Sequence, residues 1–218
     1  MKAHKTILLY GGSFNPINAS HVQILQRTFK RLNESEKLVD EAWILPSGQN
    51  PFKPKEGMAD YEHRLNMCKL ALEGLGDEFK VSDFESKLQP PFETFLVLSE
   101  LQKSYPTYQF IWLMGSDNFM HFHTWDNWED ILDNFAVVGV KRECSAHKLN
   151  TCPMMQEYAQ FLYLEDSSFA DLPNIRIVDT GMLSGSSTDI RKSIQQGKAL
   201  DNVDAKVEAY MHKHQLYR

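Results

Sequence analysis

The chain has 218 residues, 42% of them hydrophobic and 24% charged, with no low-complexity tract; that is enough for one good-sized domain, or one domain with an insertion. A formal net charge of −6 excludes a general electrostatic trap for nucleic acid, so any polyphosphate ligand must be held by a local cluster of donors. The apolar part of MKAHKTILLY is too short for a signal peptide and no run approaches membrane-span length, which predicts a cytoplasmic protein with no membrane partner.

Short β-branched runs alternate with helical patterns along the chain. Residues 6–10 predict the first strand. A helix follows over about 20–33, with Val22, Ile24, Leu25, Phe29 and Leu32 on one side. Residues 42–45 predict a second strand, stopped by Pro46. Leu65, Cys68, Leu72 and Leu75 place a helix over 60–75, closed by Gly74 and Gly76. Strands are expected at 79–84, 109–114, 136–141 and 175–179. Helices are expected at 94–104, 188–196 and 204–214, with another over 154–164. This rhythm predicts an α/β fold, a Rossmann-like mostly parallel sheet with helices on both faces and a helical C-terminus. A single domain over 1–218 is expected, with an excursion at 142–173. Ligands of such sheets lie beyond the carboxyl ends of the strands.

Three stretches fall at that edge. Gly11-Gly12-Ser13-Phe14-Asn15-Pro16-Ile17-Asn18-Ala19-Ser20-His21 leaves the first strand and opens a helix. Gly11 and Gly12 permit positive φ and a close backbone approach. Asn18 or Ser20 can cap the helix, whose N-terminus favours an anion, with His21 in the first turn. Standing alone, these residues are better explained by a plain glycine turn with a capped helix, because a lone glycine-rich loop is weak evidence. The second stretch, Gly185 to Arg191, repeats the arrangement: hydroxyls at Ser186, Ser187 and Thr188 open a helix, and Arg191 brings a planar fork suited to phosphate. The third, Ile111 to Asp117, ends a strand in Gly115 and an acid able to accept from ribose hydroxyls. Trp125 offers a ring face for stacking, and Lys53 lies in a proline-rich loop after the second strand. No resident metal site is expected: His121 and His123 lack further ligands, and Cys68, Cys144 and Cys152 read as free thiols.

Together these residues resemble the nicotinate- and nicotinamide-mononucleotide adenylyltransferases of the nucleotidyltransferase superfamily. The likeness runs through GGSFNP with His21, ILPSGQNPFKP, YEHRLNMCKLAL, GSDNF, TWDNWEDILDNFAVV, SSTDIRKSI and VEAYMHKHQLYR. The resemblance implies that ATP is joined to a pyridine mononucleotide, giving a dinucleotide and pyrophosphate, with magnesium required. Carried over residue by residue, it implies catalytic roles for His21, Asn18 and Arg191. It places ATP on Gly11, Gly12, Ser13, Phe14, Gly115, Asp117, Ser187, Thr188 and Arg191, and the mononucleotide on Lys53, Thr94 and Trp125. The family motif His/Thr-x-Gly-His here reads Asn18-Ala19-Ser20-His21, which trades a charge for an amide and glycine for serine. Nicotinate mononucleotide is the expected acceptor, although Glu93 and Asp126 put carboxylates where the bacterial enzymes often have tyrosines. The alternatives are nicotinamide mononucleotide, another phosphate acceptor such as phosphopantetheine, or a nucleotide-binding relative without turnover. The sequence leaves homo-oligomer formation open.

Overall fold

The structure is a computed structural model that describes residues 5–48, 57–90, 92–141, 152–163, 168–169, 171–181 and 185–218. Its elements run β1 (Lys5–Gly12), α1 (Ala19–Leu32), β2 (Glu41–Pro46), α2 (Tyr61–Leu72), β3 (Phe79–Val81), α3 (Thr94–Ser104), β4 (Tyr108–Gly115) and α4 (Ser116–Met120). They continue with α5 (Trp128–Asn134), β5 (Ala136–Lys141), α6 (Pro153–Tyr158), β6 (Ile175–Asp179), α7 (Ser187–Gln195) and α8 (Ala205–Lys213).

The strands join in one six-stranded sheet in the order β3-β2-β1-β4-β5-β6. The pairs β1·β4, β4·β5 and β5·β6 are parallel. That order is a doubly wound α/β arrangement, as the alternation of strands and helices predicts. All of β2 is buried, as are residues 7–10 of β1, 110–114 of β4 and 136–140 of β5. Near-continuous apolar strands are what a parallel sheet covered on both faces demands. Among the described residues, no helix is long and apolar enough to cross a membrane. Cys68 and Cys152 are free and buried, as read from the sequence; Cys144 lies outside the described residues.

By contact the chain divides into two compact units. The first comprises Met1–Tyr10, Ile24–Ala42 and Glu93–Met182; the second comprises Gly11–Gln23, Trp43–Phe92 and Leu183–Arg218. In the first, Val97, Leu98 and Leu101 form the buried stripe of α3, and β4, β5 and β6 run side by side. In the second, α2 buries Leu65, Met67, Cys68 and Leu72. The Tyr210 hydroxyl of α8 bonds the His63 ring at 3.1 Å and accepts from Asn66 at 3.2 Å, and Lys206 pairs with Glu73 at 2.9 Å, so α8 is fastened along α2.

Three expectations are corrected. The third strand stops at Val81 rather than continuing to 84. Ser82 makes a last bond to the Ile44 carbonyl, and Ser82, Asp83 and Ser86 then hydrogen-bond locally around a 3-10 turn, Phe84–Lys87. Short polar side chains that compete for backbone groups break a strand in this way. The helix expected over 154–164 ends at Tyr158 and tightens into a 3-10 turn; Leu162 then bridges to Ile175 beside β6. The short α4 and α5 were not expected, because five and seven residues carry too few turns to show a period.

Gly139 in β5 is fixed by packing. A Cβ there would meet the Phe119 ring of α4 at 2.5 Å, and Phe119 is fully buried. Gly139→Ala is expected to destabilise the protein by about 1–3 kcal/mol, the usual cost of overpacking a filled core. Chemical denaturation with an unchanged m-value checks this.

Candidate active site

Within the second unit, the two anion-ready helix starts meet at one turn. Ser187 Oγ donates to the Pro16 carbonyl at 2.8 Å, across 171 residues of sequence. Arg191 donates through one terminal nitrogen to the Asn15 carbonyl at 2.7 Å and through the other to Thr188 Oγ1 at 3.3 Å. The N-cap of α7 is Ser186, whose hydroxyl accepts from the Asp189 N–H at 3.4 Å. The Ser187 hydroxyl hydrogen is thus committed to Pro16. What α7 can still offer an anion is its first-turn backbone N–H groups and the positive end of its dipole.

At α1, Asn18 and His21 cap each other. Asn18 Oδ1 accepts from the His21 N–H at 3.2 Å, and the Asn18 N–H donates to His21 Nδ1 at 3.1 Å. This is a capping box with histidine where glutamate usually stands. The geometry assigns the tautomer: Nδ1 is an acceptor, so the ring proton sits on Nε2. Phe14 meets the His21 ring edge-on at 5.2 Å and 89°. With its oxygen used as the cap, Asn18 keeps its amide nitrogen for another partner. That nitrogen is buried and has no acceptor among the described residues. A buried donor left so costs about 1–3 kcal/mol, and a ligand oxygen would recover it.

The glycines act differently from the expectation. Neither Gly11 nor Gly12 has positive φ; both finish β1, and the left-handed residue of the turn is Phe14 at φ 45°. Gly12 is needed for close approach, since a Cβ would lie 3.1 Å from the Phe14 ring. Phe14 is 3% exposed, so its side chain supports the turn and His21 from beneath. The serine of Asn18-Ala19-Ser20-His21 also has a partner. Gly185 has φ 155°, and a Cβ there would strike the Ser20 hydroxyl. Glycine at 185 makes room for a side chain at 20.

Sequence reasoning missed three buried polar residues, of which the first two hold this turn. Asn15 is 5% exposed; its Oδ1 accepts from Ala59 N–H at 3.0 Å and its Nδ2 donates to the Gly57 carbonyl at 2.8 Å. Arg64 is fully buried and donates to the carbonyls of Ser13 at 2.8 Å and Ala59 at 3.0 Å. Glu85 is 5% exposed and accepts from the Gly48 N–H at 2.5 Å. Arg64 did leave a signal: a cation on the apolar stripe of α2, one residue before Leu65. Asn15 and Glu85 left none, because both act by fixing loops whose geometry has no period.

Four other candidates belong to the first unit. Gly115 ends β4, and a Cβ on it would meet nothing within 4 Å. Asp117 lies in the first turn of α4. Thr94 opens α3 after Glu93, whose carboxylate takes a long 3.5 Å bond from Asn127. Trp125 is half-buried, edge-on to the buried Phe122 at 5.3 Å. Lys53 lies outside the described residues.

A family model described as cytidylyltransferase-like matches residues 9–193. A Flavobacterium johnsoniae protein named "Probable nicotinate-nucleotide adenylyltransferase" is 30% identical over 96% of this chain and 97% of its own. A namesake from Flavobacterium psychrophilum is 32% identical, with the same coverage. Among solved structures, Plasmodium falciparum nicotinic acid mononucleotide adenylyltransferase, in complexes titled with APC and with NaAD, superposes with a TM-score of 0.72. It is 21% identical and covers 98% of each chain, a likeness of fold.

Burial pushes the Glu85 carboxyl up from 4.5 to about 7, against the Gly48 N–H and the Arg64 charge, which favour the anion. Folding therefore takes up a proton. The resulting stability is complete below the unfolded value and is lost as pH rises through about 7. Glu85→Gln keeps an acceptor for Gly48 but does not titrate. Between pH 5 and 8 the wild type is expected to lose about 2 kcal/mol more than this variant, read from paired denaturation curves.

Proposed function

The chain belongs to the cytidylyltransferase-like family, and from that premise we propose that it is an adenylyltransferase joining ATP to nicotinate mononucleotide, which yields the deamido dinucleotide and pyrophosphate for NAD synthesis. The observation that carries this reading is the Asn18 amide, buried without an acceptor and placed beside the His21 ring that caps the same helix. A donor pair of this kind at a helix N-terminus suits a phosphate oxygen. The relatives' names supply the acceptor class.

In the proposed reaction a phosphate oxygen of the mononucleotide attacks the α-phosphorus of ATP in line. The bond from that phosphorus to the β-bridging oxygen breaks, and pyrophosphate leaves. Neither step needs a protein nucleophile, so the chain contributes position and charge. His21 donates from Nε2 to the transferring phosphate, and Asn18 donates from its amide. The N–H groups of Ser187 and Thr188, with Arg191, hold the outer phosphates. Gly11, Gly12 and Ser13 bring backbone close, while Phe14 keeps the His21 ring in place. We assign Gly115 and Asp117 to the adenosine ribose, and Thr94, Trp125 and Lys53 to the mononucleotide.

Magnesium enters this proposal bound to the triphosphate. The groups around the turn are hydroxyls, amides, imidazole and guanidinium, which suit phosphate; a hard cation wants oxygen ligands, which ATP and water supply. Its chemistry would be to neutralise charge on the leaving pyrophosphate. The free thiols of Cys68 and Cys152 agree with a cytoplasmic setting.

His21→Ala is expected to lose about 10²–10³ in kcat while retaining the fold, the usual cost of one oriented donor to a transition state. Arg191→Ala is expected to raise KM for ATP by roughly 10–100-fold, because hydrogen bonds to charged groups contribute about 1.5–3 kcal/mol. Pyrophosphate release measures both. Wild-type rates in both variants would refute the assignment.

A further inference from the structure

The tail after α8 carries two residues in the left-handed region, Gln215 at φ 52° and Tyr217 at φ 64°. Left-handed backbone costs a non-glycine residue of order 1 kcal/mol or more, and it persists where surrounding contacts hold it. Tyr217 shows what holds it: its hydroxyl donates to Asn15 Oδ1 at 2.7 Å, 202 residues away in sequence. The turn it reaches is strained too, with Phe14 at φ 45°. Two bulky residues thus adopt costly backbone on either side of one hydrogen bond.

Asn15 sits between Tyr217 and Arg191. Its side-chain oxygen accepts from Tyr217 and from Ala59 N–H, its amide donates to Gly57, and its main-chain carbonyl accepts from Arg191. With the side chain fixed on three sides, the direction of that carbonyl is fixed as well. Burial pushes the Tyr217 phenol well above its ordinary range, against the charges of Arg64 and Arg191. At neutral pH the phenol is therefore a lasting O–H donor, and carboxamide oxygen is its proper acceptor.

We propose that Tyr217 is a positioning residue for the triphosphate: it fixes Asn15, and the Asn15 carbonyl in turn sets the Arg191 guanidinium. This inference rests on the adenylyltransferase reading for the meaning of Arg191, but its geometry is independent of that reading. The role belongs to the hydroxyl.

The test is Tyr217→Phe, which deletes the hydroxyl and keeps the ring. Two quantities are measured, Kd for magnesium–ATP by calorimetry and the KM values for ATP and for nicotinate mononucleotide. The expected result is a Kd and KM for ATP raised roughly three- to tenfold, in line with one lost hydrogen bond. KM for the mononucleotide should stay unchanged. In the Arg191→Ala background the same substitution should change ATP affinity by less than about twofold, because coupled residues are non-additive. An unchanged ATP Kd in Tyr217→Phe would overturn the proposal. An equal factor in both backgrounds would do the same, since a purely structural role does not depend on Arg191. Wild-type protein that binds ATP but releases no pyrophosphate would fail the functional reading instead, and the calorimetric comparison would still decide the role of Tyr217.

Discussion

One contact organises the second unit of this molecule: the Arg191 guanidinium on the carbonyl of Asn15. It joins a helix near one end of the sequence to a turn near the other. A main-chain carbonyl is a neutral acceptor. It aims the guanidinium without neutralising its positive charge. A carboxylate in the same place would have aimed it equally well and cancelled the charge. The neutral acceptor fixes the guanidinium without forming a salt bridge.

The surrounding residues serve that geometry. Arg64 holds Ser13 from beneath, Gly57 and Ala59 bracket the Asn15 side chain, and Phe14 braces His21. The reciprocal cap between Asn18 and His21 performs two tasks at once. It satisfies the helix N-terminus, and it leaves the Asn18 amide nitrogen without an acceptor among the described residues. Asn18 thus supplies a directed donor that carries no charge. Replacing glycine by Ser20 is matched by glycine at 185.

Much of this could be read beforehand from particular residues. Strand 136–141 was legible to the residue, because a parallel strand buried on both faces is a near-continuous apolar run, and 175–179 was legible from its β-branched Ile175, Ile177 and Val178. The two helix starts were legible because serine, threonine and asparagine cap helices for local reasons. The Asn15 hub was not. Its side chain joins Gly57, Ala59 and Tyr217, and nothing local to the Asn-Pro pair announces partners 42 to 202 residues away. Glycines 11 and 12 misled for a related reason: glycine permits a left-handed turn without requiring one, and here Phe14 supplies it. Arg64 stood on an apolar stripe in plain view, yet its role depends on two carbonyls that only the fold brings near.

The account stands or falls on whether this turn processes a triphosphate. The most direct measurement is pyrophosphate release from magnesium–ATP by the wild-type protein, with nicotinate or nicotinamide mononucleotide supplied in turn. The account predicts release that depends on the added mononucleotide and is faster with nicotinate. ATP bound without release for either acceptor would contradict it, and a preference for nicotinamide by more than about tenfold, roughly 1.4 kcal/mol, would contradict the acceptor assigned here.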